Sequence, residues 1–151
     1  MTETSDVTDL RAKIAKGGKI NLAPGHYVFS DPLTLSGSVA ICADYGSLCK
    51  LDFSKMSVPA QGAINIDRMW GFYLSDFTLI GDRKLNKIGI NENSTVPSIN
   101  GTYGTISGGG RFENVTTYGF QKGMVVGNRD LYMAASELRG YGLIFNNCDS
   151  C

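Results

Sequence analysis

The chain has 151 residues, enough for one domain with a buried core. Its 14 basic side chains balance 14 acidic ones, which removes any electrostatic case for nucleic acid or an anionic membrane as partner. Only 19% of residues are charged and 19 are glycine, so the surface is drawn from Ser, Thr, Asn and Gly and the chain turns often, which favours an all-β fold. No apolar run approaches the ~20 residues of a membrane helix. The opening "MTETSDVTD" lacks the basic and apolar regions of a secretory leader.

A helix is predicted first. In "SDVTDLRAKIAKGG", Val7, Leu10 and Ile14 fall on one face with Ala15 beside them. Ser5 or Asp6 can cap its start, and Gly17 or Gly18 its end. Short strands follow at once: "KINL", "YVF", "LTL", "VAICA" and "LCKLDFS". In the first three, apolar pairs flank one residue (Ile20 and Leu22, Tyr27 and Phe29, Leu33 and Leu35), a period of two with one buried face. Pro24-Gly25 suggests a type II turn, which suits corners in a wound chain better than hairpins.

Internal repeats decide the architecture. "FYLSDFTLIG", "RFENVTTYG" and "ASELRGYG" share a form that matches Asp76 with Asn114 and Glu137, Phe77 with Val115 and Leu138, and Gly81 with Gly119 and Gly142. A second echo follows each glycine in "IGI", "GMVV" and "GLIF". The last two copies give a period of about 23 residues, the size of a solenoid coil that must stack on its neighbours to bury its apolar face. The helix then serves as a lid on the first coil, blocking its strand edges. The chain divides into a polar arm and capping helix at 1–18 and coils at 19–151.

Two kinds of residue could carry chemistry. Acids at matched positions of stacked coils lie about 4.8 Å apart per coil, which puts Asp76 and Glu137 about 9.6 Å apart. That reaches the separation of about 6.5–9.5 Å used by inverting glycosidases and makes this pair the catalytic candidate. Sugar rings stack on aromatic faces while polar neighbours hold their hydroxyls. Arg68, Trp70, Tyr73, Tyr118 and Tyr141 are the candidates for that contact, with Phe72 and Phe77 assigned to the core. The sole histidine, His26, is read as a surface residue in a corner. Cys42 is read as a small buried strand residue. "CDSC" has the C-x-x-C spacing, at Cys148 and Cys151, but no four-ligand set accompanies it, so no metal and no cofactor is expected.

The helix, "GGKINLAPGHYVFSDPLTLSGSVAICA" and "LDFS" resemble the opening of a right-handed parallel β-helix of the pectate-lyase (pectin lyase-like) superfamily. "MWGFYLSDFTLIGDR" resembles the coil that follows. Within that superfamily the arrangement is most similar to the N-terminal part of phage tailspikes and depolymerases. The resemblance implies an all-β solenoid with a short capping α-helix, binding a bacterial surface polysaccharide as a homo-oligomer, a trimer, on a virion tail. In a longer protein it extends to cleavage. The alternatives it leaves open are the N-terminal part of a secreted bacterial polysaccharide lyase or glycoside hydrolase whose leader is missing, and a purely structural fibre module. The family's Asp-Asp and Gly-His-Gly signatures are missing, so no family catalytic residue carries over. The abrupt close at "GLIFNNCDSC" suggests a helix continuing in a longer chain.

Overall fold

The computed structural model describes residues 3–4, 6–44, 48–57, 62–66, 71–82, 88–92, 110–126, 144–146 and 149–150. After β1 (Glu3–Thr4), a helix α1 (Val7–Lys16) forms, and strands follow in threes. The first coil is β2 (Gly18–Leu22), β3 (Gly25–Val28) and β4 (Leu33–Leu35). The second is β5 (Val39–Ala43), β6 (Cys49–Asp52) and β7 (Ile64–Ile66). The third is β8 (Tyr73–Ser75), β9 (Thr78–Ile80) and β10 (Ile88–Glu92), and the fourth β11 (Arg111–Glu113), β12 (Thr116–Tyr118) and β13 (Lys122–Val126). β14 (Ile144–Asn146) and β15 (Asp149–Ser150) begin a fifth.

Each coil visits three sheets in the same order. The first sheet runs β1-β2-β5-β8-β11-β14, the second β3-β6-β9-β12-β15 and the third β4-β7-β10-β13. Every pairing is parallel. The molecule is a right-handed parallel β-helix with an N-terminal capping helix, as the repeats and the resemblance led one to expect.

The alternation of side chains builds the core. Ile20, Ile41, Leu74 and Phe112 stack in the first sheet, Tyr27, Leu51 and Leu79 in the second, and Leu33, Ile64 and Ile90 in the third, all buried. A parallel ladder in register puts like beside like one coil on, so each column is continuous apolar contact. Phe29 and Phe53 add a stacked pair with centroids 4.4 Å apart.

At the open end, α1 lays Leu10 and Ile14 on the core. Asp6 caps it by accepting from the Thr8 amide at 2.6 Å, and Gly17, with φ 75°, ends it. Arg11 ties the helix to the first coil, donating to the carbonyls of Pro32 and Asp31 at 2.9 and 2.7 Å and lying over the Phe29 ring. Ala15, placed on the apolar face from sequence, is exposed instead, because the face that meets the coil is set by Leu10 and Ile14.

Other expectations also shift. Gly25 keeps a negative φ and opens β3, so Pro24-Gly25 is not the type II turn expected. Cys49 is the buried strand thiol, and desolvation by burial pushes its pKa up to about 11. Cys42 points outward and is half-buried, since the inward positions of its strand are Val39, Ile41 and Ala43.

The repeat alignment holds for its first two copies. β8 pairs with β11 and β9 with β12, which brings Asp76 beside Asn114 and Gly81 beside Gly119. The coil after β11 continues at β14, where Phe112 meets Phe145 and Glu113 meets Asn146. "ASELRGYG", with Glu137, lies outside the described residues. β14 pairs with β11 at an offset of 33 residues, whereas β5 pairs with β2 at 21 and β6 with β3 at 24, so the period of about 23 residues holds only at the first turn. "IGI" and "GMVV" do pair, as β10 and β13, but Ile144 and Phe145 of "GLIF" belong to the first sheet.

Candidate functional site: the outer face of the second sheet

Two columns face outward on the second sheet. His26, Lys50, Thr78 and Thr116 form one; Val28, Asp52, Ile80 and Tyr118 form the other. They follow from the same alternation that sends Tyr27, Leu51, Leu79 and Thr117 inward. Tyr118 is 60% exposed. It borders a depression of about 550 Å³ whose other walls are Ser54, Gly81, Asp82 and Gly119.

Gly81 and Gly119 shape that depression. Gly119 has φ 75°, and a Cβ on it would strike the Gly81 backbone of the coil below. A Cβ on Gly81 would in turn enter the Phe120 ring, which is buried. The glycine corner lets adjacent coils close up and leaves the Tyr118 ring standing at the rim.

Below Tyr118 in the same column, Asp52 is held from several sides. Its Oδ2 lies 2.7 Å from His26 Nε2, and its Oδ1 accepts from the Ser54 amide at 2.8 Å. Burial works to raise its pKa, but hydrogen bonds from the Ser54 hydroxyl and amide and from His26 together outweigh it, leaving the carboxyl below its usual range. The Asp52 side chain is 14% exposed and that of His26 54%. Ser54 links this pair to the depression that Tyr118 borders.

The sequence-derived candidates disperse over the molecule. Tyr118 lies at the depression. Tyr73 faces outward on the first sheet, where its hydroxyl donates to Glu113 Oε2 at 2.8 Å. That bond, from proton donor to carboxylate, raises the phenol's pKa. Arg111 pairs with the same carboxylate at 3.1 Å and lies 6.0 Å from the Tyr73 ring centre. Asp76 forms the corner between those two sheets, with φ 66°, and accepts from Asn114 Nδ2 at 2.7 Å. Phe72 and Phe77 are core, as expected. Arg68, Trp70, Glu137 and Tyr141 lie outside the described residues, as do Cys148 and Cys151.

The His26–Asp52 pair escapes a sequence reading because its members sit in different coils. The available signal was the alignment of "GHYV" with "CKLD", which the register now supplies. Among the described residues, no three His, Cys, Asp or Glu side chains gather where a metal ion could be held. No family model matches the chain, and no curated protein or solved structure matches it.

Proposed function

We propose that the chain is a tailspike-like β-helix module of the pectate-lyase superfamily type that recognises a bacterial surface polysaccharide along the outer face of its second sheet. The observation that carries this reading is the exposed Tyr118 ring at the rim of a depression walled by Ser54 and Asp82. An aromatic face beside a hydroxyl and a carboxylate is the chemistry that takes the apolar face and the hydroxyl edge of a sugar ring. The columns run along the helix axis at about 4.8 Å per coil, close to the scale of a sugar unit, so an extended glycan can lie along them. In the same reading the module works as a trimer, or as part of a longer chain, on a virion tail.

Binding to a panel of immobilised bacterial polysaccharides tests the proposal, followed by calorimetry on the glycan that binds. Tyr118→Ala is expected to weaken that binding about 10-fold, the equivalent of about 1.4 kcal/mol, while leaving the far-ultraviolet spectrum unchanged. Absence of binding to every glycan, or full affinity in the variant, rejects it.

A further inference from the structure

The charged end of this face has a composition that binding alone does not require. Asp52 is ionised, because its hydrogen bonds favour the charged form, and an ionised carboxylate only accepts. The proton in the 2.7 Å contact therefore sits on His26 Nε2. In the neutral ring Nδ1 is then left with its lone pair, and among the described residues it has no protein partner. Lys50 stands beside His26 on the same outward face, one coil on, and is exposed.

A base with a fixed tautomer, a carboxylate that orients it and a neighbouring cation are the parts needed for acyl hydrolysis. Asp52 is itself held in place by the Ser54 amide, so the imidazole is oriented from a rigid strand. We infer that His26 is a general base for hydrolysis of O-acyl esters carried on sugars, with Asp52 as its positioning residue and Lys50 stabilising the oxyanion.

The step balances without any redox partner. A water oxygen bonds to the acyl carbon and gives one proton to His26 Nδ1. The carbonyl electron pair moves to the oxygen facing the Lys50 ammonium. The tetrahedral species then collapses, the bond from acyl carbon to sugar oxygen breaks, and the sugar oxygen takes the proton from Nδ1. The products are a carboxylic acid and a free sugar hydroxyl.

The proposal rests on the polysaccharide reading only for what carries the acyl group, so two substrates separate them. With p-nitrophenyl acetate, the 151-residue chain is expected to exceed N-acetylhistidine amide about 100-fold in second-order rate constant, the scale of general-base catalysis. The reaction should slow in deuterium oxide, as water attack assisted by a base does and direct attack by imidazole does not. His26→Ala should return the rate to that of buffer. Asp52→Asn should lower kcat with KM unchanged, and Lys50→Met should lower kcat in the same way. Acetate release from chemically O-acetylated dextran should follow the same order.

A rate no greater than that of N-acetylhistidine amide, the absence of a solvent isotope effect, or full activity in His26→Ala overturns the proposal. Ester hydrolysis without glycan binding leaves His26 as the general base and removes the sugar as carrier together with the polysaccharide reading. Glycan binding without ester hydrolysis does the reverse.

Discussion

Asp76 and Asn114 turn the chain from the first sheet to the second with φ of 66° and 50°, a conformation that costs most side chains about 1–2 kcal/mol. Short polar residues tolerate it, and here each also supports the other through the 2.7 Å bond between their side chains. Asn114→Ala loses that bond, about 1 kcal/mol, and keeps the strain. Asn114→Gly loses the bond but relieves the strain. Urea denaturation should therefore show the alanine variant about 1 kcal/mol less stable than the glycine one, and equal midpoints would contradict the corner's role. A repeated polar position looks the same in sequence whether a turn or a reaction demands it; Asp76 stands at such a turn, and its candidate partner Glu137 lies outside the described residues. Asp52 is the reverse case, an acid with several partners that no local pattern marks. Its folded pKa lies below the unfolded value, so its contribution is complete above about pH 4 and fades as pH falls through the folded value. Asp52→Ala should be destabilising at neutral pH, and the gap to the parent should narrow below about pH 3. An unchanged gap in urea midpoints would show that its ionised form is not favoured by folding.

At the scale of elements, the strands of the first two coils were legible because each buries one face and exposes the other. "LTL" and "VAICA" match β4 and β5 residue for residue. The helix was legible through its caps and its Leu10 and Ile14 spacing. Its value lies in what it covers, so Leu10→Ala should cost about 2–5 kcal/mol through the cavity left over the first coil. A loss under about 0.5 kcal/mol, the level of an ordinary surface change, would mean that the helix does not seal the core. The joins between strands were less legible, because their lengths vary while the strands stay in register. Gly110 shows what such a join must satisfy. It is buried, and a Cβ there would run into the Phe72 ring, which packs edge-on against Phe112. Gly110→Ala should destabilise by about 1–3 kcal/mol, and Phe72→Leu should recover part of that in the double variant. Additive losses would show that the two residues do not share this space.

For the whole molecule, the decisive property is that all coils advance in one direction. That alone lines Val28, Asp52, Ile80 and Tyr118 into one outward column and places His26 beside Lys50. The fold could be read from short strands, glycine corners and one helix, since those features agree on a stacked coil. The face proposed as the site could not, because its residues come from separate coils and meet only once the register is known. Nuclear Overhauser contacts between backbone protons test this winding most directly. The account predicts contacts from Lys50 to Thr78, Leu51 to Leu79 and Asp52 to Ile80, continuing to Thr116, Thr117 and Tyr118, with residue numbers rising together. Contacts in which one strand's numbers rise as the other's fall would show antiparallel neighbours and contradict it.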